Sequence, residues 1–426
     1  MIKKLNKMAG SGIVLVLLLL FVFVLQAHAG ATIPGLTGTT FDLVAKEGYV
    51  SSPDGGANLL WGFANAGGMA QYPGPTLIVN EGDTVTINLT NNLPVAVSMV
   101  FPGQTGVTAT GGTAGLLTNE APALTGTVTY SFTVSSPGTY TYYSGTDSAI
   151  QVEMGLFGAI IVRPAGFDPL NPKAYNHDGS AYDHEYLFLL SEIDPEIHHR
   201  IEMGLPVDTT AFYPVYWFIN GRNAPDTLAP ASIAWLPHQP YNCLPRMRPG
   251  EKLLLRLIGG GRDFHPFHHH GNNSTIIARD GRLLSSATDD GVGYPDLAES
   301  DFTIAVAPGE TIDAIFEWTG KGMGWDIYGH APGDPMEPNE YAADHGKPFP
   351  VTLPGQQDLT FGGFYSGSPY LGGSGALPTG EGGLNPFGAF VFMWHSHNEK
   401  EMTNFDIFPG GLMTQLYVEP WSVSIP

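Results

Sequence analysis

Cysteine is almost missing from this 426-residue sequence, which excludes a fold held together by disulfides. Cys243 is the single cysteine, so no disulfide can form within one chain, even in an oxidising compartment. It lies in a Tyr-Asn-Cys-Leu-Pro segment, far along the chain from the histidine-rich motifs. This position favours a packed, inert thiol over a metal-binding thiolate.

Positive charge is also scarce, and this argues against whole classes of partner. The chain has 18 lysines and arginines against 40 aspartates and glutamates, for a net charge of −22. Such a surface repels the phosphates of nucleic acids and anionic lipids, so we expect neither as a partner. It raises the local concentration of cations, although only weakly at physiological salt.

Long apolar runs are lacking beyond the N-terminus. Residues 13–25 form one such run, which follows three lysines and precedes a small-x-small cleavage site, Ala-His-Ala, at 27–29. This order is typical of a secretory signal peptide, and a run of 13 residues falls short of the roughly 20 that span a bilayer. We predict export to the periplasm or the exterior, with no membrane association after cleavage. An uncleaved anchor is the alternative.

Helical periodicity is scarce, whereas turn-forming residues are abundant. The chain has 55 glycines and 35 prolines, and short apolar runs such as residues 84–89 and 252–257 alternate with turn signals. Many short strands separated by turns predict an all-β sandwich or barrel.

The chain contains an internal repeat. Gly82 and Gly250 each open an apolar segment, and each is followed 21 residues later by another glycine. The two segments align without gaps, and a second gapless match joins residues 155–164 to residues 411–420. Two copies of one β-domain explain both matches.

The repeat predicts how the chain is divided. The predicted divisions are a signal peptide at 1–29, a first domain at 31–164, a linker at 165–183 and a second domain at 184–423. The second copy is about 100 residues longer, mainly through an insertion at about 330–390. A long insertion of this kind is usually a cover over a site or a mobile loop.

Two histidine motifs carry the clearest chemical signal. The first is His-Pro-Phe-His-His-His-Gly at 265–271, and the second is His-Ser-His at 395–397. Alternate side chains of a strand share a face, so each motif would project a pair of imidazoles, with His269 on the opposite face. The predicted paired imidazoles are His268, His270, His395 and His397. Four imidazoles suit Cu(II), Zn(II) or Ni(II), with copper highest in affinity; hydrogen-bonded surface histidines are the alternative.

These motifs resemble those of the multicopper oxidase family. Residues 265–271 are similar to its His-Pro-Phe-His-Leu-His-Gly motif, and residues 395–397 with Met413 resemble its closing His-Cys-His motif and methionine. Residues 74–76 and 137–140 fit the family's first domain. The resemblance covers nearly the whole mature chain and is nearest to two-domain members. It implies two tandem cupredoxin-like Greek-key β-barrels, the second enlarged by the insertion.

The resemblance also implies a copper site of which one side is missing. In the family, a trinuclear copper cluster between domains is held by four histidines from each side. The four paired imidazoles match one side. By the internal repeat, the residues at the matching places of the first domain are Val100, Pro102, Tyr143 and Gly145. None is an imidazole, although a deprotonated tyrosine could bind metal.

The family's type 1 copper site is altered as well. Ser396 stands at the thiolate position, and a hydroxyl cannot supply the soft copper–sulfur bond of a blue site. The next family histidine falls at Glu401, while His265 and Met413 remain as a type 1 imidazole and axial sulfur. Glu401, Met413 and His330 are therefore weaker metal candidates than the histidines of the two motifs. We predict one or two copper ions, and not the four of a laccase.

Three functions remain open on the sequence. The first is an exported copper-binding protein used in metal handling, which we rank slightly above the second, a reduced copper-dependent oxidoreductase acting on a metal ion or small molecule. The third is a structural module with vestigial histidines. Two-domain relatives form trimers, so the resemblance also implies a homo-oligomer in which a partner could supply the missing ligands. Every matching histidine is missing from the first half, whereas none is missing from the second. This asymmetry favours a retained one-sided metal site.

Overall fold

Short strands dominate the chain, as its turn-rich composition predicts. The computed structural model describes residues 32–348, 390–419, 421 and 424–425. The predicted signal peptide and most of the predicted insertion lie outside the described residues. Within the described part, no helix is long and apolar enough to cross a membrane.

The first half of the chain forms a two-sheet sandwich. Its strands are β1 (Leu36–Thr37), β2 (Thr40–Ser51), β3 (Ala57–Asn65), β4 (Leu77–Asn80), β5 (Thr84–Asn91), β6 (Thr108–Gly111), β7 (Thr113–Ala114), β8 (Asn119–Glu120), β9 (Gly126–Thr133), β10 (Gly138–Tyr143) and β11 (Phe157–Arg163), with a short helix α1 (Ser148–Gln151). One sheet has the order β1-β4-β11-β10 and the other β3-β2-β5-β9-β6, while β7 pairs with β8. Strand β5 shows why they pack: Val85, Ile87 and Leu89 are buried on one face.

The second half builds a larger sandwich. Its elements are β12 (His184–Ile193), α2 (Pro195–Glu202), β13 (Tyr216–Ile219), β14 (Arg246–Met247), β15 (Lys252–Gly259), β16 (His265–His269), β17 (Ser274–Arg279), β18 (Arg282–Leu283), β19 (Glu299–Asp301), β20 (Thr303–Val306), β21 (Thr311–Glu317), β22 (Phe390–Ser396) and β23 (Met413–Val418). Short 3-10 turns cover Asp178–Ser180, Asp226–Leu228 and Glu399–Met402. The sheets are β13-β12-β15-β21-β17-β18, with β19 beside β17, and β14-β23-β22-β16-β20. The predicted all-β, two-domain architecture is confirmed, while the domain boundaries at 164 and 184 stay predictions.

The two sandwiches pair equivalent residues. In the second, His268 of β16 lies opposite His395 of β22. In the first, an antiparallel bridge joins Val100 to Tyr143, with the Val100 amide donating to the Tyr143 carbonyl at 2.8 Å. The gapless repeat aligns Val100 with His268, and the strand pairing then makes Tyr143 the equivalent of His395, so the repeat in sequence is also a repeat in strand pairing.

A buried polar network joins the two sandwiches. Glu185 of β12 accepts hydrogen bonds from Arg163 and, at 3.0 Å, from Arg256. Arg256 also donates to Thr139 Oγ1 at 3.0 Å, and Thr139 donates to Asp313 at 2.5 Å. The first sandwich thus contributes the charge of Arg163 and the hydroxyl of Thr139 to a buried network with β12, β15 and β21 of the second, so the mutual position of the two is tightly specified.

Candidate metal centre

Strands β16 and β22 bring the two histidine motifs side by side. Within the antiparallel pair, His268 lies opposite His395 and His269 lies opposite Trp394. Phe267 and His269 are buried in the sandwich, where the His269 ring contacts the aromatic rings of Phe316 and Trp394 at centroid distances of 5.8 and 5.7 Å. Alternation along the strand therefore turns His268 away from this core, as predicted.

The predicted imidazoles form one cluster. The His268 ring centroid lies 4.9 Å from that of His270, 5.2 Å from that of His395 and 4.8 Å from that of His397. The ligand atoms of His268, His270 and His395 all lie within 4.8 Å of one another, and the Nε2 atoms of His270 and His395 are 3.3 Å apart. His397 is exposed, and its ring lies 6.2 Å from that of His395, at the solvent side of the cluster.

Neighbouring oxygens orient two of these rings. His395 Nδ1 lies 2.7 Å from the carbonyl oxygen of Ser396. Because a carbonyl only accepts, Nδ1 carries the proton, and the lone pair of the neutral ring is on Nε2, toward His270. His268 Nδ1 lies 2.8 Å from Thr303 Oγ1, a hydroxyl that can donate or accept. Outer hydrogen bonds of this kind fix the orientation of metal-binding imidazoles in proteins.

The environment keeps these rings neutral. Burial, followed by the neighbouring rings of His270, His395 and His397, lowers the pKa of His268 to about 4. Burial also lowers the pKa of His395, against the opposing effect of the Ser396 carbonyl. Neutral imidazoles have free lone pairs at pH 7, so a metal ion would not have to displace protons to bind them.

Comparison with known proteins identifies relatives of the chain. Residues 52–166 match the family model for multicopper oxidases. Copper resistance protein A of Escherichia coli is 28% identical over 330 residues, which are 70% of this chain and 49% of that protein. An L-ascorbate oxidase of Cucurbita maxima is 32% identical over 182 residues, 40% of this chain and 28% of that protein. The chain therefore resembles multicopper oxidases within residues 52–166, and over most of its length it is similar to copper resistance protein A.

Solved structures of multicopper oxidases share the fold. A multicopper oxidase named mgLAC has a TM-score of 0.55 at 19% identity, over 91% of this chain and 87% of that one. A blue copper oxidase from Nitrosomonas europaea has a TM-score of 0.52 at 21% identity, over 88% and 85% of the two chains. This likeness establishes the cupredoxin fold. The chain spans about half the length of the copper resistance proteins that it matches.

The family's type 1 copper position holds a different arrangement. His265 is fully buried, and its Nδ1 lies 3.0 Å from Glu401 Oε2 while its Nε2 lies 2.9 Å from Glu192 Oε2. Burial lowers the pKa of His265, but the two carboxylates outweigh it and raise the pKa to about 10. The ring is therefore an imidazolium between two carboxylates and does not join the imidazole cluster. Its role as a type 1 ligand stays a prediction.

The other type 1 positions belong to the same network. Ser396 Oγ donates to Glu401 Oε2 at 2.7 Å, and the Asn398 amide donates to Glu401 Oε1 at 3.0 Å. Glu401 is thus a buried acceptor of hydrogen bonds. Met413 opens β23 opposite His395. Glu192 was missed by sequence reasoning; its only signal is a carboxylate in the largely apolar strand β12, which also carries Glu185.

Cys243 and His330 complete the predicted residues. Cys243 is buried and its thiol donates to the Ile219 carbonyl at 2.8 Å, as expected for an inert side chain, and burial raises its pKa to about 12. His330 lies in a region of turns and not in a strand. Residues 320–330 form turns, since glycines such as Gly322 and Gly324 adopt positive φ angles that a strand excludes.

Proposed function

We propose that this protein is an exported copper-binding protein whose metal site is the imidazole cluster of the second sandwich. The observation that carries the proposal is the convergence of His268, His270 and His395, whose ligand atoms lie within 4.8 Å of one another. Relatives named copper resistance protein A support a role in metal handling. The signal-like N-terminus supports export.

The chemistry of the cluster fits copper. Neutral imidazoles are borderline donors, and at such sites Cu(II) binds most tightly among the first-row divalent ions. Hydrogen bonds at Nδ1 orient the rings of His268 and His395, and in His395 they leave the lone pair of Nε2 for the ion. With His397 at the solvent side, the site accommodates one ion or two. Copper bound there would supply a redox-active centre with access to solvent.

A complete four-copper oxidase does not fit these residues. Val100 and Tyr143 stand where the second sandwich has His268 and His395, so the first sandwich offers no imidazole at the paired positions. At the type 1 position, Ser396 donates a hydrogen bond to a carboxylate and supplies no thiolate. One chain alone therefore lacks the residues for the family's electron transfer from a type 1 copper to a trinuclear copper cluster, and we do not propose it.

An oligomer could complete the site. Two-domain members of the family form trimers, and a homo-oligomer would bring another surface to the exposed His397. We keep this association, together with the absence of nucleic-acid and membrane partners expected from the charge of −22, as part of the proposal.

The deciding experiment is copper content per chain after loading and desalting. We expect wild type to hold one or two more copper ions than the His268→Ala/His395→Ala variant. His199→Ala is the matched control, because this exposed histidine lies in α2 and outside the cluster. Equal copper in wild type and the cluster variant would overturn the proposal and leave the structural module as the remaining reading.

A reduced copper-dependent oxidoreductase is the second candidate. The exposure of His397 favours it, because a solvent-facing edge allows a small reductant or metal ion to reach the site. Copper-dependent oxygen uptake with Cu(I), Fe(II) or a phenol would support this function if the cluster variant loses it. Copper binding without any turnover would leave the first candidate alone.

A further inference from the structure

A second group of ligand-type side chains lies in the segment between β21 and β22. Its members are Asp326, His330, Glu340 and His345, whose ligand atoms all lie within 4.8 Å of one another. We propose that these four residues bind one divalent cation with the preferences of Zn²⁺. The proposal is independent of the copper site, since the two groups share no residue.

The distances suit a tetrahedral ion. His330 Nδ1 lies 3.4 Å from Asp326 Oδ2 and 3.2 Å from Glu340 Oε2. His345 Nδ1 lies 2.6 Å from Glu340 Oε1 and 3.8 Å from Asp326 Oδ2. Zinc bonds of about 2.0–2.1 Å in a tetrahedron separate neighbouring ligand atoms by about 3.3 Å. The observed separations scatter around this value, and two of the four are too long for good hydrogen bonds.

Backbone amides hold the carboxylates in place. The amides of Tyr328 and Gly346 donate to the two oxygens of Asp326 at 2.9 and 2.8 Å, and the Glu337 amide donates to Glu340 at 3.0 Å. A site that has its outer hydrogen bonds already made does not need to reorganise when the ion arrives.

The burial of the four side chains leaves an entry for the ion. The carboxylate side chains of Asp326 and Glu340 are 1% and 2% exposed, whereas the imidazoles of His330 and His345 are 16% and 17% exposed. Two buried carboxylates bring negative charge into the group, which a divalent cation would neutralise. Two nitrogen and two oxygen donors match Zn²⁺, while Ca²⁺ and Mg²⁺ prefer oxygen alone.

The ion would close a loop onto the second sandwich. Trp325, Ile327 and Tyr328 are buried in its hydrophobic core, and the Asp326 amide donates to the Lys347 carbonyl at 3.0 Å. Asp326 and His330 lie on one arm of the loop, and Glu340 and His345 on the other. Binding therefore ties the two arms together, and we expect zinc to raise the thermal midpoint and to slow proteolysis within residues 326–345.

The test is zinc titration of the full chain with the copper site removed. In the His268→Ala/His395→Ala variant we expect one zinc ion per chain and a higher thermal midpoint with zinc. Adding His330→Ala/His345→Ala should abolish both effects. Wild type saturated with copper is titrated with zinc in parallel. Ca²⁺ should leave the thermal midpoint unchanged in every chain.

Two results would overturn the proposal. One is no zinc bound to the parent variant, which would mean that the four side chains form a metal-free ion-pair cluster. The other is equal zinc affinity after the histidines are replaced. If that replacement prevents folding, Glu340→Gln serves instead, because it keeps the side-chain shape and an acceptor for the Glu337 amide. Its zinc affinity should fall at least tenfold with an unchanged circular dichroism spectrum, and an unchanged affinity would contradict the site.

Discussion

The two sandwiches repeat one strand arrangement but carry opposite chemistry at the same places. Val100 and Tyr143 bridge in the first, where His268 and His395 pair in the second. Strand register depends on backbone hydrogen bonds and on the alternation of buried and exposed positions, not on the ligand side chains. The ligands of one copy could therefore be replaced without disturbing the pairing that positions them.

In the first sandwich, the space at the positions equivalent to the histidines is filled by other side chains. Gly145 aligns with His397, and a Cβ atom there would lie 2.7 Å from Val100 Cγ1. An imidazole at position 145 would therefore collide with the valine that replaces the first imidazole. The side chains at positions 100 and 145 are therefore coupled, and placing a histidine at one of them alone would not create an imidazole pair.

A buried position shows the largest contrast between the copies. His265 is an imidazolium between Glu192 and Glu401, whereas its equivalent, Val97, is fully buried among apolar residues. We expect His265→Ala to lower the free energy of unfolding by about 3–5 kcal/mol, because it leaves two buried carboxylates without a counter-charge. Val97→Ala should cost roughly 1–2 kcal/mol from lost apolar burial. Urea unfolding measures both, and equal losses would contradict the charged triad.

Position 268 in the second sandwich and position 143 in the first give the next comparison. His268→Ala should weaken copper binding more than about a hundredfold, because the loss of even an outer-shell partner typically costs 10–100-fold. Tyr143→Phe, in the sandwich that lacks imidazoles, should leave the affinity unchanged. Competition with a copper chelator measures both variants. A comparable loss in Tyr143→Phe would show that the first sandwich contributes a tyrosinate ligand.

The pH dependence of stability tests the charge at position 265 directly. The pKa of His265 is about 10 in the folded chain against an ordinary 6.5, so its proton stabilises the fold fully below pH 6.5. This contribution is lost as the pH rises through 10. It is only part of the cost of His265→Ala, because the neutral ring still donates one hydrogen bond.

The matched variant for this measurement is His265→Gln, which cannot titrate. Between pH 7 and 10.5, we expect wild type to lose more unfolding free energy than His265→Gln. Lysines and tyrosines titrate in both chains and cancel in the difference. Parallel curves for the two chains would rule out a charged His265 in the folded state.

Much of this arrangement could be predicted from the sequence. Turn residues around short apolar runs predict the strands, and the alternation of His268, His269 and His270 predicts which rings share a face. The partners that change the chemistry could not be found in this way. Glu192 and Glu401 are 209 residues apart in the chain, and only the packing of β12 beside β16 and β22 brings both to His265.

The sequence by itself determined the all-β class, the doubling of one domain and the four imidazoles on neighbouring strands, because periodicity and spacing are local properties of a chain. Only the tertiary structure decided that His265 pairs with carboxylates, and that His330 meets Asp326, Glu340 and His345. These contacts arise between loops and strands that have no shared period. Their geometry depends on how glycine-rich turns, such as those of residues 320–330, fold back onto the sandwich.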